Sequence, residues 1–272
     1  LGRDPGEHRP RRAPDTALHV HAMLWRMALP DEPVSHPAWP DGDLVGFDLE
    51  TTGPDPLLDV PVQYALVWRR GGAMRVDASL IDPHRPIPAG AIAVHGITDE
   101  QVAAGRPLEE AVGDIASALV EASTAGIPLV GMNVVFDLTM IDATLRRLGE
   151  EGLPEQGWSG PVLDLRVLDR HVDRYRRGGR RLVDLCAHYG VEGRGGPHDA
   201  TSDVYAAVRC VLAMAAGRED LAACPPKDLH ERQVAWYREQ QQSLSEYFVR
   251  QGQPAIPEWQ HAWPIWRAPA PG

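Results

Sequence analysis

The stretch Leu44-Val45-Gly46-Phe47-Asp48-Leu49-Glu50-Thr51-Thr52-Gly53 decides how this chain is read. Residues 44–50 are short, apolar and alternating, the pattern of a strand. Side chains two apart on a strand share a face, so Asp48 and Glu50 project together while Phe47 and Leu49 point the other way. Two carboxylates aimed at one point repel unless something positive sits between them. Hard cations such as Mg²⁺ take oxygen ligands of this kind. Gly53 would let backbone approach a ligand closely. Taken alone, an Asp-x-Glu is more often an acidic strand end leading into a turn.

Working outward, residues 63–69 and 74–81 read as second and third strands with the Gly71-Gly72 pair as the turn between them. This makes a meander of three antiparallel strands. Helices are expected over 98–104 and 108–122, the second with Val112, Ile115 and Leu119 at helical spacing. Residues 129–132 read as a buried strand, with Asn133 as the cap of a helix over 136–148. A short strand over 162–165 and helices over 182–189 and 201–215 complete the pattern. Three strands followed by strand–helix alternation predict an α/β fold, a mixed five-stranded sheet flanked by helices.

Residues 1–43, rich in Pro, Arg and His, read as a tail or linker with a short helix over 17–29. The organised domain spans 44–217. Residues 218–272 form a C-terminal extension: a polar helix over 228–250 with a sparse apolar stripe (Val234, Tyr237, Leu244, Tyr247, Phe248), then a Pro-rich tail carrying Trp259, Trp263 and Trp266.

The chain has 272 residues, 43% of them apolar, enough for one sizeable core with a modest appendage. No apolar run approaches the ~20 residues of a membrane helix, and the start of the chain lacks the apolar segment of a signal peptide. Three cysteines without a Cys-x-x-Cys pair fit a reducing, cytoplasmic setting as small apolar fillers. The net charge of −11 argues against coating nucleic acid by bulk electrostatics. It is compatible with an enzyme that gathers carboxylates around cations.

Two further acidic elements follow the first. Asn133-Val134-Val135-Phe136-Asp137 leaves an apolar strand and opens a helix. His198-Asp199-Ala200-Thr201-Ser202-Asp203 follows the loop residues Gly195, Gly196 and Pro197, with Asp203 in the first turns of a helix. Each has an ordinary structural explanation: an acid near a helix start complements its dipole, and a single histidine is usually unremarkable. Those explanations do not account for three carboxylate elements in this order, carrying four acids, the last with a histidine five residues before it.

With these residues the sequence resembles the DEDD exonuclease superfamily in its DnaQ-like, histidine-bearing branch, and among its members the DNA polymerase III epsilon-type proofreading domains. The resemblance rests on 47–53, on Asn-x-x-x-Asp at 133–137 and on His-x-Ala-x-x-Asp at 198–203, with Val94-His95-Gly96-Ile97-Thr98 as a further match. It covers residues 44–216. It implies an RNase H-like fold and two Mg²⁺ or Mn²⁺ ions held by Asp48, Glu50, Asp137 and Asp203, with His198 as general base. One ion can activate a water and the other can stabilise the leaving 3'-oxygen. A histidine's unperturbed pKa of ~6.5 suits the base.

The same resemblance implies that Thr51, Thr52, Gly53, His95, Asn133 and Phe136 meet the terminal nucleotide. The expected activity is 3'→5' hydrolysis from a free 3' end, DNA favoured over RNA, releasing 5'-mononucleotides. Trimming of RNA or of short oligonucleotides is the alternative. The basic run Arg174-Tyr175-Arg176-Arg177-Gly178-Gly179-Arg180-Arg181 either tracks the substrate backbone, through Arg176 and Arg177, or is a solvated loop. The C-terminal extension either docks a polymerase or repair partner or packs on the domain itself. An inactive nucleic-acid-binding relative is disfavoured by the intact set of acids.

Overall fold

The computed structural model describes residues 38–192 and 199–269; the helix expected over 17–29 lies outside them. The sheet is built on β1 (Leu44–Thr51). β2 (Pro61–Arg70) runs antiparallel to it, and β3 (Ala73–Asp82) antiparallel to β2. Two helices, α1 (Ala89–His95) and α2 (Asp99–Val102), lead to β4 (Arg106–Pro107) and α3 (Leu108–Thr124). Strand–helix alternation follows in β5 (Leu129–Gly131), α4 (Val135–Arg147), β6 (Val162–Asp164) and α5 (Leu165–Val172). The remaining helices are α6 (Leu182–Tyr189), α7 (Ala200–Ala216), α8 (Glu219–Ala222) and α9 (Pro226–Arg250).

The strand order is β4-β3-β2-β1-β5-β6, with β5 parallel to β1 and β6 parallel to β5. The sheet is mixed, as expected, and has one strand more than expected. β4 is two residues long, pairs parallel with β3, and is too short to leave a periodic pattern. Helices α1, α5 and α8 were likewise not expected from the sequence.

Alternation along β1 divides the interior in two. Val45, Phe47 and Leu49 enter one core with Val112, Ile115 and Leu119 of α3 and Leu138 of α4. Leu44 enters the other, with Leu185 of α6 and Val204, Val208 and Val211 of α7. Gly46 lies on this second face and sets how closely α7 approaches. A Cβ built there would fall 2.4 Å from Val204 Cγ1 and 2.9 Å from Val208 Cγ2. The three cysteines are buried and form no disulfide, consistent with small fillers. No helix among the described residues is long and apolar enough to cross a membrane.

Asn133 does not cap α4 as expected. It adopts φ 62°, a left-handed conformation that asparagine tolerates better than most residues. The first N–H groups are satisfied from outside: Asp164 accepts from the backbone N–H of Asn133 and of Val134, each at 3.0 Å. The same carboxylate caps α5 by accepting from the N–H of Arg166 and Val167. One buried acid thus serves two helix starts.

The extension packs on the domain. β6 is an edge strand, and its outward backbone groups need partners. Gln233 of α9 supplies them: its amide donates to Val162 O at 2.7 Å and accepts from Asp164 N–H at 2.8 Å. His230 Nδ1 accepts from Val162 N–H at 3.2 Å. The buried face of α9 is therefore Leu229, Gln233 and Tyr237; of the expected stripe Tyr237 is buried, while Val234, Leu244 and Phe248 are half-buried. Tyr247 is half exposed. In the tail, Trp263 is buried in the first core, and Trp266 N–H donates to Thr139 Oγ1 of α4 at 2.8 Å.

Candidate active site

Asp48 and Glu50 leave β1 on the face toward α7, as their spacing requires. Glu50 pairs with Gln63 across the β1–β2 ladder, and Gln63 Oε1 accepts from the N–H of Ala200 at 3.2 Å. That bond ties the start of α7 to the sheet. Asp199 caps α7, accepting from Ser202 N–H at 3.0 Å, and Asp203 lies in the first turn. One ligand oxygen from each of Asp48, Glu50 and Asp203 falls within 4.8 Å of the others. Neither Gln63 nor Asp199 stood out in the sequence; a glutamine facing an acid across a strand pair was the available signal.

Asp137 joins from the first turn of α4 and is buried. Its charge is the largest neighbouring influence on Asp48, although it is not one of the three acids converging within 4.8 Å. Burial, then Asp137, Glu50, Asp203 and Asp199, hold the Asp48 carboxyl well above the usual carboxylate range. Burial, with Asp203 and Asp199, raises Glu50 to about 7. Burial, with Asp164 and Glu50, raises Asp137 to about 8 against the opposing hydrogen bonds of its own N–H and that of Leu49. Among the described residues, the neighbouring groups that act on Asp48 are other acids, a mutual repulsion that a bound cation would relieve. An all-oxygen donor set of this kind fits a hard divalent cation.

The neighbouring expectations divide. His95 sits against the end of β1, with Nδ1 accepting from Ile97 N–H at 3.0 Å and Nε2 3.2 Å from Thr51 O. The first bond places the ring proton on Nε2, so Nε2 donates to Thr51. Thr51 Oγ1 donates to Gly53 O at 2.9 Å. Thr52, expected at the substrate, is buried; its hydroxyl donates to Asp59 Oδ1 at 2.9 Å and its N–H to Val60 O at 2.9 Å. A Cβ on Gly53 would fall 2.5 Å from Asp59 Oδ2, so this glycine makes room for Asp59. Phe136 is half-buried against the first core. Asn133 lines the same cleft as Asp48 and Asp203, its side-chain oxygen accepting from Arg166 Nη1 at 3.2 Å.

His198 lies outside the described residues. Arg176, in the run expected either to track substrate or to be a solvated loop, pairs with Asp169 at 3.0 Å. Asp169 is buried on α5 and also accepts from Arg180 and from Tyr189 Oη. The loop is thereby drawn onto α5, while Arg177 remains exposed.

An RNase T exonuclease family model matches residues 45–211, a span that holds all four acids. The chain belongs to the RNase T exonuclease family. This exonuclease is 30% identical over 187 residues to the uncharacterized exonuclease CP81 of Escherichia phage 186, across 66% of this chain and 91% of the phage protein. It is 40% identical over 132 residues to a DNA polymerase III subunit epsilon-like protein of Rhodobacter capsulatus, across 47% of this chain and 17% of that protein. Its fold is similar to that of E. coli Exonuclease I in complex with a dA16 oligonucleotide, with TM-score 0.56 at 22% identity, over 67% of this chain and 42% of that one. The chain thus spans nearly all of the phage relative but a minor part of the other two. The DnaQ-like resemblance read from the motifs and the RNase H-like architecture are both in place.

Proposed function

We propose that this exonuclease removes nucleotides one at a time from the 3' end of DNA, single-stranded or frayed, using two divalent cations, Mg²⁺ or Mn²⁺. The reading is carried by the convergence of Asp48, Glu50 and Asp203 within 4.8 Å. These three and Asp137 would hold the ions, which supply an activated water and charge for the departing 3'-oxygen. The chain's own part is to fix that geometry. β1 and α7 are locked together through Gly46 and Gln63, and α4 presents Asp137 from its first turn. His198 serves as the base that accepts the water's proton, the role that the resemblance to the histidine-bearing branch implies. Thr51, Gly53, His95, Asn133 and Phe136 border the terminal nucleotide, and Arg177 is free to meet its backbone.

The decisive experiment uses end-labelled single-stranded DNA, duplex DNA and RNA, each with Mg²⁺, Mn²⁺ or chelator. Stepwise release of 5'-mononucleotides from the 3' end of DNA, abolished by chelator, is expected. Endonucleolytic products, or full activity in chelator, would overturn the reading. Faster digestion of RNA would favour the RNA-trimming alternative. A docking role for the extension has less support, because its buried residues are committed to β6 and α4.

A further inference from the structure

The cleft at the acids does not end there. It has a volume of about 680 Å³ and runs from Asp48 and Asp203 to Arg166, Arg170 and Arg180. A second hollow of about 290 Å³ shares Arg166 and Arg170 with it and is closed on the other side by α9 and the tail. A third, about 440 Å³, shares Arg170 and Arg180 and extends along α9 from Trp236 to Tyr247. Arg170 lines all three, so together they form one trough between α5 and α9, leading away from the acidic cluster.

The walls have a definite chemistry. Arg166 and Arg170 lie four apart on α5, where like charges repel, and Arg174 continues the row just past the helix end. Among the described residues neither Arg170 nor Arg174 has a carboxylate partner; Arg180 shares Asp169, and Glu239 is the acid on the far wall. Burial, then Arg166 and Arg180, lowers the Arg170 pKa against the opposing influence of Tyr237 and Asp169. The trough also carries aromatic surface: His171 stacks on Trp236 at 3.6 Å between ring centres, Tyr175 is exposed, and Tyr247 is half exposed. A basic row interleaved with aromatic faces suits an unpaired strand, whose phosphates and bases are both accessible. The net charge of −11 makes a local concentration of unpaired arginines the more pointed.

We infer that this trough is a binding track for the single strand upstream of the scissile nucleotide, with phosphates on Arg166, Arg170 and Arg174 and bases against aromatic side chains of α5 and α9. The C-terminal extension is then one wall of the substrate path. The inference rests on the exonuclease reading, and the test separates the two.

Binding of 5'-fluorescein oligothymidylates of 4 and 12 nucleotides is measured by anisotropy with Ca²⁺ in place of Mg²⁺, so that no turnover is needed. The wild type should bind the 12-mer at least ~10-fold more tightly than the 4-mer, and more tightly than a 12-base-pair duplex. Arg174→Glu and Tyr247→Ala alter exposed side chains, so folding is not at stake and a thermal melt verifies it. Each should cut the length-dependent gain to ~3-fold or less, and Arg174→Glu should also flatten the salt dependence by about one charge. Folded variants that keep the wild-type length ratio and salt slope would overturn the track. Equal binding of 4-mer and 12-mer by the wild type would do the same. Failure of the wild type to release mononucleotides with Mg²⁺, by contrast, would sink the exonuclease reading whatever the length ratio.

Discussion

Gln233 and Asp164 are joined by a 2.8 Å hydrogen bond from the Asp164 backbone N–H to the Gln233 side-chain oxygen, and both residues are fully buried. The other end of the same amide donates to Val162 O. Gln233 therefore substitutes for a missing neighbour strand. Gln233→Ala should lower stability by about 2–4 kcal/mol, since two buried backbone groups lose partners. Urea denaturation at neutral pH measures it. Deletion after Gly217 should cost more, because it also uncovers the edge of β6 and removes Leu229, Tyr237 and Trp263 from the cores. A truncated protein that melts with the full chain would show that the extension contributes no stability.

Gly46→Ala should loosen the site from the inside. The added methyl would meet Val204 and Val208 at less than contact distance, costing about 1–3 kcal/mol and moving α7, with Asp203, off β1. Mn²⁺ affinity should fall along with melting temperature. Val204→Ala in the same chain makes room and should recover part of both. Without such recovery, the close approach is not what positions Asp203.

Asp203→Asn should separate stability from activity. Asp203 is the largest charged contributor to the raised Glu50 carboxyl, so its neutralisation relieves repulsion and should raise the melting temperature of the chelator-treated protein at pH 8. Turnover should drop by at least ~10². A variant retaining wild-type Mg²⁺-dependent turnover would remove Asp203 from the machinery. His198→Ala should behave differently, leaving Mn²⁺ binding in place and slowing hydrolysis by roughly 10²–10⁴.

Metal uptake should release protons. With Glu50 at about 7 and Asp137 at about 8, both are partly protonated at pH 7, and ligand carboxyls must ionise to bind a cation. Affinity for Mn²⁺ should therefore rise from pH 6 to pH 8. Calorimetric titrations in two buffers of different ionisation enthalpy should give heats that differ with proton release. Identical heats in the two buffers would contradict the raised carboxyls.

Acid should weaken the α9 contact specifically. Burial lowers His230 to about 4, while the unfolded chain protonates near 6.5. Between those values the unfolded state binds the extra proton, so stability is full above pH 6.5 and falls as pH drops toward 4. The loss is about 3 kcal/mol in all. His230→Leu should be less stable at pH 7, having no acceptor for Val162 N–H, yet should lack this component of the acid slope. Urea midpoints of both proteins at pH 4.5 and 7 compare the two slopes.

The strand carrying Asp48 and Glu50, the side to which they point and the order of the acidic elements were legible in the sequence, because strand alternation is a local property with a period of two. The main helices α3, α4, α6 and α7 were legible for the same reason at their own period. Only the tertiary structure decided how the acidic elements meet. Gly46 admits α7, Gln63 anchors its start, and Asp164 from another strand orders the beginning of α4; none of these leaves a periodic trace. It also decided which polar side chains are taken up internally. Thr52 goes to Asp59, Arg176 to Asp169 and Gln233 to β6, since a buried polar group must find a partner wherever the chain happens to bring one. Periodicity describes the face a residue occupies, while pairing depends on what folds opposite it.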